Sequence, residues 1–108
     1  MKYLTLAALL FCTGAHAEFL DGNQLYTRLT SANETDRTNA QWYVLGVHDA
    51  ARGYVICDPN NVNGQQVIDM TLAALRDHPE GRAISADQII VKTLQAAFPC
   101  RRNPTPNS

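Results

Sequence analysis

Residues 63–79 read Asn63-Gly64-Gln65-Gln66-Val67-Ile68-Asp69-Met70-Thr71-Leu72-Ala73-Ala74-Leu75-Arg76-Asp77-His78-Pro79. This stretch holds a whole helix with both of its ends. Asn63 and Gln66 stand three apart, the spacing at which each side chain caps the other's backbone N–H. Val67, Thr71, Ala74 and Leu75, with Ile68 and Leu72 alongside, recur at intervals of three and four and make one apolar face. Pro79 then stops the helix, because the residue before a proline is pushed out of the helical region.

The same reading extends in both directions. Ser85-Ala86-Asp87-Gln88 predicts a second capping box. The helix behind it carries Ile89, Ile90, Leu94, Ala97 and Phe98 and is stopped by Pro99. Upstream, Ala40, Tyr43, Val44, Val47 and Ala51 give another apolar face. Asp36 is the expected N-cap of that helix, and Arg52-Gly53 its end. Asp21-Gly22 opens a short helix with Leu25, Tyr26 and Leu29 inward. Residues 30–38 are polar and read as a loop, Tyr54 to Pro59 as extended chain or turn, and Pro79-Glu80-Gly81-Arg82 as a turn. Ile89-Ile90-Val91 is the one run that suits a strand, but its flanks favour helix. The expected fold class is all-α: a small bundle of about four helices.

The first 17 residues read as an export signal. Lys2 is the basic start, Leu4 to Cys12 the apolar run, and Ala15-His16-Ala17 a small-x-small cleavage site. The run is shorter than the ~20 residues that span a bilayer. The expected domains are therefore a signal peptide at 1–17, a helical domain at 18–100 and a disordered tail at 101–108. The whole chain has 108 residues and a formal net charge of −1. Without Lys2 the balance falls to about −2, and no basic patch with interleaved aromatics exists, which argues against a nucleic-acid partner.

Cleavage after Ala17 removes Cys12 and leaves Cys57 and Cys100. In an oxidising compartment an even pair favours one disulfide, here closing the segment that holds the last two helices. The alternative makes Cys57 a nucleophile with His48 and Asp49, in a cysteine hydrolase. Adjacent helical residues point about 100° apart, so His48-Asp49 is no relay by itself. His48 is expected at the surface or an interface, with Asp49 holding the following loop. Cys57, His48, His78 and Cys100 lack the ligand spacing of a zinc site; neither a metal nor any other cofactor is expected. Of Trp42 and Tyr43, one is expected in the core and the other exposed. The polar turn at His78, Glu80, Gly81 and Arg82, mounted between two helices, suits insertion into a partner's cleft.

Several pieces of sequence occur in a recognisable order: Asn39-Ala40-Gln41-Trp42-Tyr43-Val44-Leu45-Gly46-Val47-His48-Asp49-Ala50, Cys57-x-Pro59-x-x-Val62, Gly64-Gln65-Gln66-Val67-x-Asp69, His78-Pro79-Glu80 followed by Ser85-Ala86, and Ala96-Ala97-Phe98-Pro99-Cys100. The set resembles the Rap/Tai family of periplasmic immunity proteins linked to type VI secretion, from about Gly22 to Cys100. The resemblance implies a small helical protein, often a homodimer. It also implies binding to a periplasmic toxin, a peptidoglycan amidase in the best-known cases, by blocking the toxin's active-site cleft. The family's shared cysteine pair falls on Cys57 and Cys100. A second pair found in many relatives is missing, since Ala40 stands at one of its positions and 26–30 has no cysteine. The competing expectation is a general periplasmic protein-binding or chaperone module without a toxin partner.

Overall fold

A computed structural model describes residues 19–101. The expected signal, its cleavage site and all but the first residue of the expected tail lie outside the described residues. Four helices follow one another: α1 (Gly22–Leu29), α2 (Glu34–Ala51), α3 (Gly64–Asp77) and α4 (Ala86–Ala97), with a single 3₁₀ turn at Pro79–Gly81. No strand occurs among the described residues; three isolated bridges tie loops together.

Local chemistry sets most of the helix ends. At α1 the Asp21 carboxylate accepts from the Gln24 N–H at 2.8 Å, and Gln24 Oε1 accepts from the Asp21 N–H at 3.0 Å. The predicted box at α3 is also present: Asn63 Oδ1 accepts from the Gln66 N–H at 2.9 Å, and Gln66 Oε1 from the Asn63 N–H at 2.8 Å. Each box satisfies two backbone donors that a helix start leaves open.

Two helix starts differ from expectation. The cap of α2 is Asn33 rather than Asp36; Asn33 Oδ1 accepts from the Asp36 N–H at 3.1 Å. The loop therefore shrinks to residues 30–33. Side chains fix it, with the Asn33 N–H on Ser31 Oγ at 3.0 Å and Arg37 Nη1 on the Ser31 carbonyl at 2.8 Å. Residues 34–38 look like loop in sequence because, apart from the half-buried Arg37, these first turns of α2 are exposed and polar. Their acids, Glu34 and Asp36, instead suit the positive end of the helix dipole. At α4 the Ser85 side chain makes no cap bond. The segment before α1 supplies the bond instead: the Ala86 N–H donates to the Leu20 carbonyl at 2.7 Å.

The apolar faces meet in one core. Leu25, Val44, Ile56, Val67, Leu75, Ile90 and Leu94 are each at most 1% exposed. Burying a side chain of this size contributes about 1.5–3 kcal/mol. The buried Thr71 hydroxyl is satisfied within its helix by the Val67 carbonyl at 3.0 Å. Ile56 is the one core residue supplied by a long loop, and that loop is tightly fastened. Gly53, at φ +84°, turns the chain where a side chain would be strained. The Gly53 N–H donates to the Ile56 carbonyl at 2.8 Å, and the Cys57 N–H to the Phe98 carbonyl at 2.9 Å. Cys57 and Cys100 are joined as a disulfide, with Cα atoms 4.9 Å apart across a sequence separation of 43.

Candidate functional site

The polar turn between α3 and α4 stands out from the bundle on a fixed base. His78 ends α3, its N–H donating to the Ala74 carbonyl at 3.1 Å. Pro79 presets the next turn, and the Gly81 N–H returns to the His78 carbonyl at 3.0 Å. Arg82 then reaches back. Its Nε donates to the Leu75 carbonyl, its Nη2 to the Arg76 carbonyl at 3.4 Å, and its guanidinium lies 3.9 Å over the Tyr26 ring of α1. One side chain thus caps carbonyls that α3 leaves open and ties the turn to a second helix.

His78 and Glu80 project from this base. Their side chains are 70% and 74% exposed, and His78 Nδ1 lies 3.3 Å from Glu80 Oε1. Glu80's own backbone N–H, then His78, hold its carboxyl below the usual 4.5. The turn therefore presents a carboxylate at neutral pH. Of the four predicted contact residues, the structure brings His78, Glu80 and Gly81 to one exposed tip. Arg82 sits half-buried beneath them as their support.

A cleft of about 140 Å³ opens beside the turn, between α3 and α4. Leu75, Ile84 and Ile89 give it an apolar surface.

The second histidine contradicts expectation. His48 is 7% exposed and belongs to the interior, not the surface. Its Nε2 donates to Asp58 Oδ1 at 3.0 Å, and the Asp58 side chain is only 1% exposed. Arg52 Nε approaches the same oxygen at 3.6 Å. Asp49 is 78% exposed and 3.5 Å from His48 Nδ1, so the loop is held by Asp58 instead. Asp58 lies ten residues from His48, across the end of α2, where helical spacing carries no signal. The disulfide takes up the Cys57 sulfur, so Cys57, His48 and Asp49 do not form the thiolate constellation weighed from the sequence. Among the described residues no cluster of His, Cys, Asp or Glu is arranged to hold a metal ion.

Trp42 is the exposed member of its pair, at 67%, and Tyr43 packs against the core. Burial and, to a lesser degree, Asp87 push the Tyr43 phenol up from 10.0, against the pull of a hydrogen bond from the Asp87 backbone. No helix among the described residues is long and apolar enough to cross a membrane.

Compared with known proteins, residues 21–100 match a family model described as Rap1a immunity proteins. No curated protein matches the chain.

Proposed function

The chain belongs to the Rap1a immunity proteins, and on that premise we propose that it is a periplasmic, stoichiometric inhibitor of a peptidoglycan amidase delivered by type VI secretion. In this reading the His78–Arg82 turn enters the amidase's active-site cleft. Glu80 meets polar groups at the cleft, and His78 reaches toward the catalytic cysteine or histidine. Cleavage after Ala17 would deliver the chain to the compartment where its disulfide persists. A homodimer is the proposed assembly.

The observation that carries the reading is the mounting of that turn. An exposed carboxylate and imidazole stand on a turn fixed by backbone bonds and by the half-buried Arg82 side chain. A loop already held in shape loses little freedom when it binds, so more of its contact energy appears as affinity. Occlusion requires shape and charge at a tip, and no reacting group.

The test uses purified amidase from a gene neighbouring that of this protein. Peptidoglycan hydrolysis is expected to fall to zero at a one-to-one ratio. The double substitution His78→Ala/Glu80→Ala is expected to weaken inhibition by at least about tenfold, or 1.4 kcal/mol, with an unchanged melting temperature. Full inhibition by that variant would show that the turn is not the contact.

A further inference from the structure

The cleft beside the turn has no role in the tip contact just described. We propose that it is a socket for one benzene-sized apolar side chain of the toxin, seated next to a toxin carboxylate that pairs with Lys92; this rests on the inhibitor reading. Three observations carry it. The first is size. At about 140 Å³ the cleft is close to the ~150 Å³ apolar cavity known to accept benzene. It therefore has room for one phenylalanine, leucine or methionine side chain.

The second is composition. Leu75, 1% exposed, forms the floor, and Ala74, Ile84 and Ile89 form the walls. An apolar surface of this kind gains from being covered.

The third is charge. Lys92, His78 and Arg82 line the cleft, and no Asp or Glu does. The Arg82 guanidinium is engaged by the carbonyls of Leu75 and Arg76, and His78 faces Glu80. Lys92 is in no ion pair among the described residues. Lys92 also borders a hollow with Asp87 but is not paired to it, so the unpaired charge among the lining residues is positive and suits an anionic neighbour for the apolar group. Position completes the case: the cleft shares His78, Gly81 and Arg82 with the turn, so a toxin that takes the tip also covers the cleft.

The socket can be tested without the toxin. N-acetyl-L-phenylalanine joins an apolar ring to a carboxylate, and N-acetyl-L-phenylalaninamide keeps the ring without the charge. Titrated into the oxidised chain, the acid is expected to shift the Ile84 and Ile89 methyl NMR signals saturably. The amide is expected to bind about threefold more weakly, the scale of one exposed ion pair. Lys92→Gln should erase that difference. Thr93→Trp and Ala74→Phe fill the cleft from opposite walls. Each should abolish the shifts while keeping the helical circular dichroism of the parent.

Shifts at neither isoleucine, or equal binding of acid and amide, would overturn the socket. A change of sedimentation coefficient in Thr93→Trp would also overturn it, because the occupant would then be a second copy of this chain. Failure of the socket is separable from failure of the inhibitor reading. Undiminished inhibition by Thr93→Trp beside weakened inhibition by His78→Ala/Glu80→Ala would remove the socket alone.

Discussion

The molecule uses the same three kinds of side chain twice, at two loops, with opposite results. At one loop His48, Asp58 and Arg52 come together; at the other, His78, Glu80 and Arg82. The histidine–carboxylate distances are similar, 3.0 and 3.3 Å. The surroundings are not. His48 and Asp58 have side chains 8% and 1% exposed, whereas His78 and Glu80 are 70% and 74% exposed. The arginines differ too: Arg52 is half in solvent beside its carboxylate, while Arg82 is half-buried and braces its loop through backbone carbonyls. Residue type therefore does not assign the role. A carboxylate out of water must keep its partners, and so it serves the fold. A carboxylate in water gains little from its neighbour and is free to meet another molecule.

Breaking the first loop should cost stability and breaking the second should cost recognition, and the contrast can be tested in order of size. The largest effect belongs to the crosslink beside Asp58. Cys57→Ala/Cys100→Ala should lower unfolding stability by about 4 kcal/mol, the chain-entropy value for a loop of this length, read by urea denaturation. Asp58→Ala comes next. It strands His48 Nε2 in the interior and should cost about 2–3 kcal/mol. His48→Leu/Asp58→Leu together should cost less than Asp58→Ala alone, since paired removal leaves no orphan. A double variant worse than the single would mean that His48 has a further buried partner.

At the second loop the expected losses are smaller and unequal. Arg82→Ala removes the carbonyl bonds and the contact with Tyr26, and should cost about 1–2 kcal/mol by the same denaturation measurement. Glu80→Ala should leave the urea midpoint indistinguishable from the parent's, as expected of an exposed side chain. The smallest effect is a titration. Glu80's carboxyl is held below 4.5 in the folded chain. A lowered midpoint contributes to the folded turn above the unfolded value, and the contribution is lost as pH falls through the folded one. Carbon NMR of the Glu80 carboxyl should show the low midpoint, and His78→Ala should move it part of the way back. An unmoved midpoint would leave the Glu80 backbone N–H, with the charge of Arg82, as the cause.

The sequence makes visible what depends on near neighbours. The helix start at Asp21, the box at Asn63, the apolar faces of all four helices and the stops at Gly53 and Pro79 are local, and each is legible from the sequence nearby. The tip is legible for the same reason, because Pro79-Glu80-Gly81 is a turn in any context. What escapes is set at a distance. Nothing near Ser85 announces that the Leu20 carbonyl will supply the bond its own side chain does not make. Nothing near His48 points to Asp58, and nothing in Arg82 separates a brace from a contact until Tyr26 lies beneath it. Asn33 was within local reach, but the solvent-facing first turns of α2 hide the helix that it begins.

The start of α1 is joined to the segment that leads into α4. The backbone around Leu20 to Asn23 is knitted to the stretch from Arg82 to Ala86: the Gly22 N–H bonds to the Ile84 carbonyl at 3.0 Å, and the Asn23 N–H to the Arg82 carbonyl at 3.1 Å. The fit is close enough that a Cβ at Gly22 would come within 2.8 Å of the Arg82 carbonyl oxygen. What is synthesised early must wait for what is synthesised late. Until α4 arrives the bundle cannot close, so its folding waits on a contact between residues more than sixty positions apart.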